Sequence, residues 1–195
     1  MNIGVLGLQG DFAAHGAALE RIGCAWREVR RVADLDETDG LILPGGESTT
    51  MLKLIREEGF LEPLRSYAMS GKPLFGTCAG AILLAKDVTH PAQESLGALD
   101  ITVRRNGYGR QTDSFIAQAT GPAFGDTPVE VVFIRAPIIT RVGDDVETLL
   151  EQGGNAILVR KGNIFAGTFH PELTEDVRIH QLFLDAAQSF KRRRT

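Results

Sequence analysis

What most constrains the folding of this chain is the alternation of short apolar runs with helical stretches over its first half. Residues 2–8, 40–43 and 73–75 are nearly continuous apolar runs too short for a helix, and 25–29 joins them as a strand. Between and after them, residues 12–22, 49–58, 61–70 and 79–85 have helical composition and spacing. Strands that are apolar without alternation are buried on both faces, which requires helices on both sides of a parallel sheet. After Asp100 the texture changes to closely spaced strands at 101–104, 114–119, 129–134, 138–142, 156–160 and 163–169, the last two joined by a Lys161-Gly162 turn, before a closing helix at 175–190. The expected fold is α/β, an open, mostly parallel sheet flanked by helices with added antiparallel strands. Ligands in such sheets bind at the carboxyl ends of the strands.

One strand ends at a cysteine. In Gly76-Thr77-Cys78-Ala79-Gly80 the thiol falls between the apolar run 73–75 and an apolar helix. Glycines on both sides let the backbone bend sharply there, which pushes the cysteine side chain outward. The amide end of the following helix favours a thiolate, and the Ala79 N–H is placed to donate to an oxyanion. Taken alone, Cys78 reads equally well as a small buried core residue. A downstream pair changes that balance. His170-Pro171-Glu172 follows the strand at 163–169, and in an extended chain residues 170 and 172 project to one side, so the carboxylate can orient the imidazole. His15, His90 and His180 read instead as hydrogen-bonded structural histidines. A third element, Leu43-Pro44-Gly45-Gly46-Glu47-Ser48-Thr49-Thr50, ends a strand in Pro-Gly-Gly, freeing backbone amides for an anion, with residues 48–50 capping a helix. An ordinary strand-to-helix loop would look the same.

The remaining composition narrows the function classes. With 195 residues and 43% hydrophobic content, the chain suits one compact domain, residues 1–195. Its net charge of −4 offers no basic face for nucleic acid, and the basic run 191–195 reads as a flexible tail. Residues 2–8 are too short for a membrane span or signal peptide. Only two cysteines occur, Cys24 and Cys78, without disulfide or zinc spacing, so no metal is expected and the reducing cytoplasm is the natural compartment. Cys24 reads as a packing residue. Gly4, Gly7 and Gly10 are spaced GxxGxxG rather than as a dinucleotide fingerprint, and read as packing and turn glycines.

The cysteine elbow with His170-Pro171-Glu172 resembles the class I glutamine amidotransferases, a flavodoxin-like three-layer fold. Within them the chain resembles the glutaminase subunits of pyridoxal 5'-phosphate synthase in the segment 4–11, in 43–50, in Arg104-Arg105-Asn106-Gly107-Tyr108-Gly109-Arg110-Gln111, in Phe133-Ile134-Arg135-Ala136-Pro137 and in 169–174. Gly107 departs from the pattern, which has alanine there. The resemblance implies hydrolysis of L-glutamine by Cys78, His170 and Glu172. It places the substrate against Gly46, Glu47, Ser48, Arg105, Ile134 and Arg135, with Gly46 and Ala79 supplying the oxyanion hole. It implies no cofactor. The implied partner is the (β/α)8-barrel synthase subunit, which receives ammonia; neither nucleic acid nor membrane is implied. Two other readings fit the residues: a hydrolase or peptidase with the same elbow, separated by a panel of glutamine, ester and peptide substrates, and a catalytically silent scaffold, separated by covalent labelling of Cys78.

Overall fold

The computed structural model describes residues 1–107 and 114–193. Its central sheet has seven strands: β1 (Asn2–Leu6), β2 (Ala25–Val29), β3 (Gly40–Leu43), β4 (Leu74–Thr77), β10 (Glu147–Gln152), β11 (Asn155–Lys161) and β12 (Ile164–Gly167). They lie in the order β10-β11-β12-β4-β3-β1-β2. From β12 to β2 every pairing is parallel, and β11 and β10 extend that edge antiparallel. Mostly parallel with an antiparallel edge is the expected arrangement. Two smaller sheets accompany it: β5 (Ala85–Thr89), β6 (Leu99–Arg104) and β9 (Ile138–Val142) form one, and β7 (Ser114–Ala119) with β8 (Val129–Ile134) the other.

Strand alternation decides which helix packs where. Ile3, Val5, Ile42, Phe75 and Phe165 point to one face and share a cluster with Leu19 of α1 (Phe12–Arg21) and with Ile179, Phe183 and Leu184 of α5 (Arg178–Arg192). Their neighbours Leu6, Leu41, Leu43, Leu74 and Ala166 point to the other face. There they meet α2 (Ser48–Glu57), α3 (Leu61–Met69) and α4 (Ala79–Leu84) through Met51, Ile55, Leu64 and Leu83. Burial on both faces makes these strands uniformly apolar.

Several expectations need correction. The helix after Cys78 is only six residues long, because Ala85 already begins β5, a strand that its charged residues Lys86 and Asp87 concealed. Its macrodipole is correspondingly short. Strand β10, with the polar sequence ETLLEQ, likewise gave no apolar run. Helix α2 is capped by the side chain of Glu47, which accepts from the amides of Thr49 and Thr50, so Ser48 is already helical. The closing helix starts at Arg178 rather than at 175 and includes Lys191 and Arg192. Lys191 Nζ meets Asp39 Oδ2 at 3.0 Å, so the basic run is in part a helix end tied to the body of the protein. Of the segment 104–111 that carried part of the resemblance, Tyr108, Gly109, Arg110 and Gln111 lie outside the described residues.

Candidate active site

Three strand ends converge. Pro44-Gly45-Gly46 follows β3, Cys78 follows β4, and His170 lies just beyond β12. Since β3, β4 and β12 are adjacent and parallel, their carboxyl ends open to the same side.

The elbow is built by close backbone approach. Cys78 has φ 47° and ψ −101°, a conformation that a side-chain-bearing residue adopts only when its surroundings enforce it. Its N–H donates to Gly167 O of β12 at 2.8 Å. A Cβ on Gly80 would stand 2.1 Å from Leu43 O, and one on Gly76 would stand 2.5 Å from Gly80 O, so both flanking positions exclude a side chain. Cys24 has none of this apparatus: it is buried, burial pushes its thiol up, and its Sγ donates to Ala25 O at 3.3 Å.

His170 and Glu172 meet as expected but by a different backbone route. Residues Pro171–Leu173 form a single 3-10 turn instead of an extended segment, and that turn brings His170 Nδ1 to 2.7 Å from Glu172 Oε1. With Nδ1 on Glu172, the remaining ring nitrogen, Nε2, is the one available to the Cys78 thiol, which lines the same cavity. The backbone N–H of His170 donates to Val132 O of β8 at 2.8 Å, anchoring it from the second sheet. Burial pushes the imidazole down, but Cys78 and the Glu172 carboxylate together outweigh burial and raise it to about 10. Both partners thus favour the protonated imidazole. Burial pushes the Glu172 carboxyl up, and the imidazoles of His15 and His170 pull it back below its ordinary range.

Cys78 and His170 line a cavity of about 170 Å³ together with Gly46, Glu47, Ser48, Arg105, Ile134 and Arg135. All six expected substrate-contact residues thus share one cavity with the thiol. Ile82 and Asn106 line it as well; Ile82 reads from the sequence as helix core, and Asn106 lies in the segment 104–111 without being among the expected contacts. Ala79, the residue after Cys78, opens α4. Glu172 sits behind His170, away from the cavity. Arg105 Nη2 donates to Thr49 Oγ1 at 2.9 Å and lies 3.5 Å from Glu47 Oε1. Burial pushes the Glu47 carboxyl up, but the Thr50 and Thr49 amides hold it below its usual range. The glycine loop is tied to the first strand–helix connection: Asp11 N–H donates to Gly45 O at 3.3 Å and Glu47 N–H to Gln9 Oε1 at 3.1 Å. Gly10, with φ 94°, would carry a Cβ only 1.9 Å from Gly45 O, so that glycine serves this contact. Gly107 is explained too, since a Cβ there would lie 2.3 Å from Ile138 Cγ1.

A strained cysteine at a strand-to-helix elbow, with an imidazole and carboxylate aligned on an α/β sheet, defines a class of thiol-dependent hydrolases. The comparisons are narrower, and the chain belongs to the SNO glutamine amidotransferase family, whose pattern matches residues 5–189. It is 56% identical over 187 residues to a protein of Solibacter usitatus named pyridoxal 5'-phosphate synthase subunit PdxT, covering 93% of this chain and 97% of that one. A protein of the same name from Koribacter versatilis is 54% identical, with 94% of each chain covered. A crystal structure described as a glutamine amidotransferase superposes with a TM-score of 0.89 at 47% identity, covering 95% of this chain and 98% of the other. PurLQS from Thermotoga maritima, at 19% identity and a TM-score of 0.67 over 94% and 97% of the two chains, shares the fold.

Proposed function

We propose that this chain is the glutaminase subunit of a pyridoxal 5'-phosphate synthase, a single domain over residues 1–195. It hydrolyses L-glutamine to L-glutamate and ammonia and passes the ammonia to a (β/α)8-barrel synthase subunit. Cys78 Sγ attacks the side-chain amide carbon, the oxyanion that forms is met by amides of the Gly46 region and Ala79, and the proton on His170 goes to the departing ammonia as the C–N bond breaks. Water then attacks the thioester, His170 takes its proton, the C–S bond breaks and glutamate leaves. Glu172 holds the imidazole throughout. Arg105 and Arg135 suit the α-carboxylate of the substrate, since a guanidinium pairs with a carboxylate through two parallel hydrogen bonds. The reaction needs no cofactor, and we place it in the cytoplasm. Among the described residues no helix is long and apolar enough to cross a membrane.

The observation that carries this reading is the shared cavity: the thiol, its imidazole and every expected glutamine contact line one small pocket. We further propose that the Pro44-Gly45-Gly46 loop is misaligned in the free subunit and that docking of the synthase turns a backbone amide into the oxyanion hole. One oxyanion donor is worth roughly 10² to 10³ in rate. Titrating the synthase subunit while following glutamate release tests both parts. Hydrolysis of glutamine in preference to esters and peptides, stimulated about 10²- to 10³-fold, is expected. A free subunit already at full rate refutes the loop, and failure to hydrolyse glutamine in the complex refutes the function.

A further inference from the structure

Behind the triad lies a buried polar chain that the reaction as derived does not use. His15 of α1 and His180 of α5 are fully buried, on the sheet face opposite α2, α3 and α4. His15 Nδ1 lies 3.0 Å from His180 Nε2. On its other side, His15 Nε2 lies 3.0 Å from Thr77 Oγ1, next to the nucleophile, and 3.3 Å from Glu172 Oε2. Three elements distant in sequence therefore converge on the far side of the triad carboxylate.

The proton positions follow from what each alternative leaves unpaired. His180 Nδ1 is buried and has no hydrogen-bond partner among the described residues. If His15 carried its proton on Nδ1 and gave it to His180, the proton of His180 would have to sit on Nδ1, leaving a buried N–H without an acceptor. That tautomer would also aim the Nε2 lone pair of His15 at a carboxylate. With the protons on Nε2 of both rings, His180 donates to His15 Nδ1, His15 donates to Thr77 Oγ1 and faces Glu172 Oε2 with its N–H, and of the ring nitrogens only the His180 Nδ1 lone pair stays unpaired. A missing donor for a lone pair costs less than a stranded N–H. The second arrangement is the one the site can hold.

We propose that His15 is a positioning residue of the triad, presenting an N–H to the far oxygen of Glu172 so that the near oxygen stays on His170 Nδ1, with His180 fixing the tautomer of His15. The role rests on the reading of Cys78, His170 and Glu172 as the triad. Glu172 Oε2 has no hydrogen bond of good geometry, so this N–H is what opposes rotation of the carboxylate in a site closed to water. The titratable groups facing His15 are Glu172 and His170 from the turn after β12, His180 from α5 and Asp11 at the start of its own helix.

The test uses the complex with the synthase subunit and three variants: His15→Phe, which fills the space without a donor; His15→Gln, whose amide nitrogen can reach the place of Nε2; and His180→Phe. For His15→Phe the expected loss in kcat is about 10- to 100-fold, the range found for outer partners of metal ligands, with KM for glutamine within about twofold. His15→Gln should recover most of it, and His180→Phe should lose less than His15→Phe. The rate of Cys78 alkylation against pH, measured in a Cys24→Ala background, should shift in His15→Phe and return in His15→Gln. This readout needs no glutamine, so it separates failure of the positioning role from failure of the glutaminase reading. On the unaltered protein, 15N spectra of the histidine rings should show His15 and His180 both protonated at Nε2 and bare at Nδ1. A proton on His15 Nδ1 would overturn the proposal even if no variant folds. So would a His15→Phe enzyme with unchanged kcat and alkylation profile, or a His15→Gln enzyme no better than His15→Phe.

Discussion

Adding one methyl group at Gly45 tests the geometry of the site more sharply than removing Cys78, His170 or Glu172. A Cβ on Gly45 would stand 2.3 Å from His170 Cε1 and 2.8 Å from Nδ1, while meeting Cys78 Cβ at an ordinary 3.4 Å. The first contact is about 1 Å too short, so either the imidazole or the loop must give. Retreat of the loop would cost it the bond from Asp11 N–H to Gly45 O, which Gly10 backs closely. The imidazole then moves, and its 2.7 Å bond to Glu172 cannot survive a displacement of that size. A misplacement of about 1 Å in a catalytic group costs on the order of 10²-fold, equivalent to about 2.7 kcal/mol of barrier. Gly45→Ala is therefore expected to lose about 10² in kcat/KM for glutamate release in the complex. Its Cys78 alkylation profile against pH should shift as the Cys–His contact is lost. Gly7→Ala, whose Cβ would meet its neighbours no closer than 3.4 Å, is the matched control and should stay near the unaltered rate. A Gly45→Ala protein with unchanged activity and an unchanged alkylation profile would refute the placement of His170 against this loop.

Cys78→Ala should fold normally and lose glutamate release by several orders of magnitude, whereas Cys24→Ala should remain active; a glutamine-analogue label found on Cys24 instead would contradict the assignment. Glu172→Gln keeps the shape but removes the charge that orients His170, so kcat should fall by about 10² to 10⁴, the upper figure being the cost of disabling a triad acid; near-normal turnover would show that the carboxylate does not orient the base. The pH dependence of stability has a definite sign. Because His170 is raised to about 10, its contribution to stability is complete below its unfolded value near 6.5 and is lost as pH rises through about 10. Glu172, lowered on folding, contributes above the ordinary carboxylate range and loses its contribution as pH falls through its depressed folded value. The Tm difference between the unaltered protein and His170→Asn should accordingly be greatest near pH 6 and shrink toward pH 10; a difference that grows with pH would reverse the assignment.

Much of this protein is legible in the sequence because the determining forces are local. Strands β2, β3, β7, β8 and β9 begin and end where the sequence indicates, since runs of apolar and β-branched residues bounded by turn residues are short-range signals. The elbow is local for the same reason: two glycines around a cysteine at the end of an apolar run mark a bend that few other sequences can make. Strands β5 and β10 escape because pairing with neighbours, not composition, makes them strands. The 3-10 turn of Pro171–Leu173 shows that two residues expected to meet can do so by a backbone path that spacing does not specify. What only the tertiary structure decides is which distant residues share a place. Thr77 stands one residue from Cys78, yet it meets His15 only because α1 packs on that face of the sheet, and His180 arrives from α5 near the far end of the chain. Gly45 looks like an ordinary loop glycine until β3 and β12 are set on either side of β4, which brings its backbone against the His170 ring. Local sequence encodes each element's conformation, whereas the order of strands in the sheet, set by burying both faces at once, determines the contacts between them.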